Sequence, residues 1–277
     1  SEKETYALST ALEKKYNIKT VCVQADLSDL KQVKNIISTA SKQLGNINCL
    51  INNAASFEYD SINSLSSDSW DLHINTNIRA PLFLSQSFVK NISKNSKGNI
   101  INIIDQRVWN LTPHFMTYTL SKTALWTLTQ TLALSLSPNI RVNAIGPGPT
   151  IKSKMQTNEE FKEQYKRMPL SVPTSLAEIN QFINLILNSP SLTGQMIALD
   201  GGQHLGWAQT AKSKFKEDVL NKKFEKEKLE SETIELEKEF LEKRIKKINS
   251  QIELTIKSYS TNEVNHMLMK TEDAVYK

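Results

Sequence analysis

Asp105, Tyr118 and Lys122 lie within "IDQRVWNLTPHFMTYTLSKTALW", residues 104–126, in an order that suits proton transfer. A tyrosine and a lysine four apart on a helix share one face, so the ammonium can lie near the phenol. A cation there favours phenolate and is expected to pull the tyrosine below its ordinary pKa of about 10. Tyr118 could then exchange a proton near neutral pH, as a general acid for carbonyl or imine reduction must. Asp105 ends the apolar run "NIINII", and ligands bind at the carboxyl ends of strands in an open parallel sheet. The same Tyr/Lys spacing also describes a surface pair, so the surrounding elements must decide.

Short apolar runs alternate with longer helical patterns up to about residue 207, the pattern of a parallel sheet with crossover helices. The predicted strands are "TVCVQA", "CLINNA", "NIINII", "IRVNAIG" and "QMIALD", each nearly all apolar at its centre, as strands covered on both faces are. Helices are predicted near 2–15, 29–44, 67–92, 113–137 and 175–188. Ser28-Asp29 supplies a start signal for the second, and Thr112 with Pro113 at the first helical position supplies one for the fourth. A helix comes first in this order, whereas a doubly wound sheet ordinarily begins with a strand.

After residue 207 the composition shifts to a Lys/Glu-rich stretch without Gly or Pro over 211–257. Leu241, Ile245, Ile248 and Ile252 are spaced as a short coiled-coil seam would be, and equally as the apolar face of an amphipathic helix. The expected division is therefore a domain over 1–207 and a helical extension over 208–277. The net charge of +5 comes from lysines interspersed with glutamates, which argues for solvated faces and against nucleic-acid binding. No apolar run approaches the roughly 20 residues of a membrane span. Cys22 and Cys49 sit in apolar runs without metal or disulfide spacing, so reduced core cysteines in a cytoplasmic protein are expected. The four histidines lack ligand spacing, and no metal is assigned.

Over roughly residues 17–207 the sequence resembles the short-chain dehydrogenase/reductase family. The resemblance rests on "ADL" at 25–27, "NNA" at 52–54, "NTNIRAP" with Asn77, "YTLSK" with Tyr118 and Lys122, "RVNAIGPG" at 141–148 and "TGQMIALDGG" at 193–202. Most members place a serine where this chain has Asp105; pteridine reductases and dihydromonapterin reductases are similar to it in carrying the aspartate. "NNAASF" also looks like their pterin-binding loop. The resemblance implies a Rossmann-like α/β fold with a doubly wound parallel sheet, an NADPH cofactor and a dihydropterin-like substrate. It implies Tyr118 as proton donor, Lys122 on the nicotinamide ribose, Asn77 supporting a water relay and Asp105 sharing protons with Tyr118. Phe57 would stack on the pterin, Asp26 would meet adenine, the backbone at Asn53 and Ala54 would approach the cofactor, and Pro147-Gly148 would border the nicotinamide. A homotetramer is also implied.

The chain departs from the family upstream. Members begin with a strand and a glycine-rich turn that receives the cofactor pyrophosphate, whereas the first of eight glycines here is Gly45. An N-terminally truncated domain is therefore expected, with a gap in its sheet. The alternative function is a catalytically inactive remnant or scaffold that binds partners through the C-terminal helices.

Overall fold

The computed structural model describes residues 2–153 and 156–206, together with Glu235, Lys238, Glu239, Glu242, Lys243 and Lys246. By its contacts the chain divides into two compact units, Ser1–Ala211 and Lys212–Lys277. In the second unit the six described residues are helical and exposed, and Lys243 pairs with Glu239 at 3.0 Å, one turn away. Leu241, Ile245, Ile248 and Ile252, the expected seam, lie outside the described residues.

The first unit is built on four parallel strands, β1 (Cys49–Asn52), β2 (Gly98–Ile103), β3 (Ile140–Pro147) and β4 (Met196–Leu199), which pair in chain order. Residues of opposite parity on the central strands face opposite layers, because successive side chains alternate across a strand. Ile100 and Val142 are fully buried against α2 (Leu30–Leu44) and α4 (Ala80–Asn91), through Val33, Ile37, Leu84 and Phe88. Ile101 and Ile145 pack on the other side against α7 (Leu176–Leu187), through Ile186 and its neighbours. Helices thus cover both faces, as the near-continuous apolar strands require. Buried amide groups link the strands to a helix. Asn52 Nδ2 donates to Asn102 Oδ1 at 2.8 Å, Asn102 Nδ2 donates to Thr129 Oγ1 at 2.9 Å, and the two strands are thereby tied to α5 (Met116–Ser135).

Several expectations change. "TVCVQA" forms no strand: residues 18–26 run without helix or ladder. A strand exists only where a neighbour receives its N–H and C=O groups, and no described strand pairs with this segment or with the outer edge of β1. The segment is held by side chains, with Glu13 of α1 (Glu2–Tyr16) accepting from the Thr20 amide at 2.8 Å. The predicted helix over 67–92 is three pieces, α3 (Ser67–Ile74), a π-turn at Asn75–Arg79 and α4. A short helix, α6 (Asn158–Lys166), is absent from the expected set.

The helix expected from residue 113 begins at Met116. Thr112 does not cap it, because its hydroxyl accepts from Arg107 at 3.0 Å and donates to the His114 carbonyl at 3.0 Å. Phe115, at the cap position, is left-handed with φ 57° and offers no side-chain cap.

Candidate active site

In a parallel sheet all carboxyl ends fall on one edge, and this edge carries Asn53, Asp105, Gly148 and Asp200 just beyond β1, β2, β3 and β4. Asp105 leaves β2 and opens a single 3-10 turn, Gln106–Val108, by accepting from the Arg107 amide at 2.8 Å. Its other oxygen, Oδ2, receives the Tyr118 hydroxyl at 3.0 Å. The family resemblance led to the expectation of this pairing.

The acidity of Tyr118 runs opposite to expectation. Burial of the ring raises its pKa well above the ordinary value, the Asp105 charge and hydrogen bond raise it further, and Arg107 counteracts them in part. Lys122 shares the helix face, but its Nζ lies 5.8 Å from the phenol ring centroid and donates to the Ile103 carbonyl at 2.9 Å. Burial lowers Lys122 to about 8, against an opposing pull from Asp105. The phenol is therefore held protonated, a loaded donor rather than a phenolate.

Asn77 sits in the π-turn, a distortion frequent at functional sites. It is 1% exposed and works as a clamp. Its Oδ1 accepts from the Ser56 amide at 2.8 Å, while Nδ2 donates to the Ser56 carbonyl at 2.9 Å and to Ser121 Oγ at 3.0 Å. The loop 53–57 is thus fixed to the Tyr118 helix. Phe57, on that loop, is 45% exposed, stacks on Phe115 at 4.6 Å and 8°, and meets Tyr118 edge-on at 4.7 Å. A flat, half-open aromatic surface therefore adjoins the acid pair.

Asn53 and Ala54 are exposed on the same loop. Pro147-Gly148 is half-buried, and Gly148 is held against β4, its amide donating to the Leu199 carbonyl at 2.9 Å. A Cβ at Gly148 would lie 2.8 Å from Asp200 Cα, so no side chain fits there without moving backbone. Asp26 is exposed and its Oδ1 accepts from the Ser28 amide and hydroxyl, both at 2.8 Å; the structure does not bring it into contact with Tyr118.

Four contributors were not legible in the sequence: Asp60, His73, Thr117 and Arg107. Asp60 is 1% exposed and supplies the missing cap of α5 from outside the helix. Its carboxylate accepts from the Thr117 amide at 3.2 and 3.3 Å and from the Thr117 hydroxyl, and its carbonyl accepts from the Phe115 amide at 2.8 Å. His73, fully buried, accepts from the Glu58 amide at Nε2, 3.1 Å away, so the neutral ring carries its proton on Nδ1 and donates it to Thr117 Oγ1 at 2.7 Å. Burial lowers the His73 pKa, which favours that neutral form. An anion at a helix N-terminus also meets the positive end of the helix dipole. Asp60→Ala is expected to lower stability by roughly 3 kcal/mol, since it strands a buried amide and hydroxyl that were bonded to a charge. Urea unfolding of the two proteins measures the difference.

Residues 1–164 match the family model described as short chain dehydrogenase. The chain belongs to the short-chain dehydrogenase family. Members of this family are NAD(P)H-dependent oxidoreductases. The chain is 31% identical over 192 residues to dehydrogenase/reductase SDR family member 4 of Homo sapiens, spanning 66% of this chain and 68% of that one. It is 30% identical over 193 residues to L-xylulose reductase of Mesocricetus auratus, spanning 67% and 77%. Among solved structures it is similar to FolM alternative dihydrofolate reductase 1 from Brucella suis in complex with NADP, with 42% identity, a TM-score of 0.72 and coverage of 75% of this chain and 83% of that one. The corresponding protein from Brucella canis, also complexed with NADP, gives 41% identity and a TM-score of 0.70, covering 76% and 83%.

Proposed function

We propose that the chain is an NADPH-dependent reductase of a C=N bond in a dihydropterin-like ring. The observation that carries this reading is the Tyr118 hydroxyl held on Asp105 at 3.0 Å with the Phe57 ring edge-on beside it. The likeness to two NADP complexes of alternative dihydrofolate reductases supports both the cofactor and the ring chemistry. Lys122, the exposed backbone at Asn53 and Ala54, and Pro147-Gly148 all lie along the carboxyl edge of the sheet and fit the nicotinamide half of the cofactor. Asp26, at the end of the 18–26 segment, would face adenine. NADPH, when bound, supplies the hydride.

The residues of the chain hold the ring and move the proton. Phe57 offers an apolar shelf for a planar heterocycle, and the clamp at Asn77 fixes the height of that shelf relative to Tyr118. As the ring carbon accepts hydride, its nitrogen takes the Tyr118 proton. The phenolate left behind is stabilised by the Lys122 and Arg107 cations, and Asp105 passes a proton back from solvent.

Self-association is part of this proposal. The outer side of α5 exposes Leu120 and Leu134, at 50% and 82%, which suits a helix-to-helix contact between copies. The specificity test is a comparison of NADPH oxidation by the full chain with a dihydropterin and with a small aromatic ketone. A preference for the ketone would overturn the pterin reading and leave the reductase reading in place.

A further inference from the structure

We infer that Arg107 forms an anion subsite beside the ring shelf, so that the substrate taken here carries a carboxylate or phosphate on its pterin-like ring. This inference rests on the pterin reading above. Arg107 follows Asp105 by two residues, and its amide is fastened to that carboxylate at 2.8 Å, which fixes where its side chain leaves the backbone. The guanidinium lies over the Phe115 ring at 4.8 Å from the centroid. Phe115 stacks on Phe57, and Phe57 abuts Tyr118, so the cation stands at the end of an aromatic row that starts at the proton donor. Arginine is suited to this position because its planar face packs on an aromatic ring while its edge keeps donors free for a bidentate oxyanion.

Those donors are underused. The side chain gives one hydrogen bond, from NH1 to Thr112 Oγ1 at 3.0 Å, and its Nε is buried with no partner. No carboxylate of the described residues lies within ion-pair distance of it. A half-buried guanidinium with an unpaired buried N–H is costly to maintain, and an oxyanion held by its terminal nitrogens would offset that cost through its charge. Its counterpart in the site, Lys122, is not available for this, since it is buried to 3% exposure and donates to Ile103. The positive charge of Arg107 is also felt at Tyr118.

The test is a fluorescence titration of the full chain with pterin-6-carboxylate, with 6-hydroxymethylpterin and with its phosphate ester, using wild type, Arg107→Gln and Arg107→Lys. The carboxylate and the phosphate are expected to bind roughly tenfold tighter than the neutral alcohol, about 1.4 kcal/mol. Arg107→Gln should abolish that preference while leaving the alcohol within about twofold, and Arg107→Lys should retain part of it. The ratio of carboxylate to phosphate distinguishes the two sources of charge. Equal binding of charged and neutral compounds by wild type, or an undiminished preference in Arg107→Gln, would overturn the subsite alone. If none of the three binds, the pterin reading fails, and inorganic phosphate titrated against the Arg107 Nε–H resonance judges the subsite by itself: a shift upholds it and an unmoved resonance removes it.

Discussion

Tyr118→Phe is expected to lower the turnover of NADPH-dependent reduction by about 10²–10⁴-fold, the usual worth of a positioned general acid. The substitution deletes one oxygen from a residue 6% exposed and keeps the ring that packs on Phe57 and His73, so the shelf survives. Affinity for NADPH should change little, because no part of the expected cofactor contact runs through the hydroxyl. The loss therefore falls on kcat rather than KM, the mark of an interaction made in the transition state. Retained turnover in Tyr118→Phe would move the proton source elsewhere. A companion measurement concerns the phenol itself. Removing the carboxylate charge in Asp105→Asn should lower the Tyr118 pKa toward its ordinary value, since the Asp105 charge and hydrogen bond are two of the causes that raise it. Phenolate absorbance, taken as a difference against Tyr118→Phe, reads that shift.

Lys122→Met should abolish reduction yet make the protein more stable at neutral pH. Burial depresses the folded-state pKa of Lys122 from 10.5 to about 8, so at neutral pH the folded chain carries an ammonium that the unfolded chain would hold more comfortably. The unfolded state binds more protons than the native state between those two values, and stability must rise with pH across that window. The penalty is complete below about pH 8 and fades as pH climbs toward 10.5. A shift of this size corresponds to about 3 kcal/mol, from which the hydrogen bond to Ile103 recovers a part, leaving a net gain of about 1–2 kcal/mol for methionine. Urea unfolding of both proteins should show the advantage of Met shrinking from about pH 8 to about pH 10. A variant less stable than wild type at neutral pH would contradict the placement of this cation. Natural retention of so costly a group is the pattern of a functional residue.

Each half of the acid pair was legible by position, Asp105 at a strand end and Tyr118 one turn from Lys122 on the next helix, while their pairing was expected from the family resemblance, which sets Asp105 where most members place a serine. The helix start at Asp29 was legible for a local reason, its side chain capping the amide two residues on. The start of α5 was not, because its cap is Asp60, 57 residues upstream, and no local pattern records a cap supplied through tertiary structure. Thr157 and Glu160 form a capping box that the sequence does display, and the short helix it opens could have been found from it. "TVCVQA" has the composition of a strand, but composition cannot show whether a neighbour is present to complete the ladder. The direction of the Tyr118 shift was misread for a physical reason. Spacing reveals that Lys122 shares a face with the phenol, but not that its ammonium turns to Ile103 while Asp105 accepts the phenol's hydrogen bond.

The most direct measurement is an equilibrium titration of the purified full chain with NADPH, followed by nicotinamide fluorescence. Binding in the micromolar range, lost in Gly148→Val because that side chain has no room against Asp200, is the expected result for a working reductase site. A folded chain that binds no NADPH even at millimolar concentration would contradict it, and would leave Asp105, Tyr118 and Lys122 as the relic of an active site on an interaction protein.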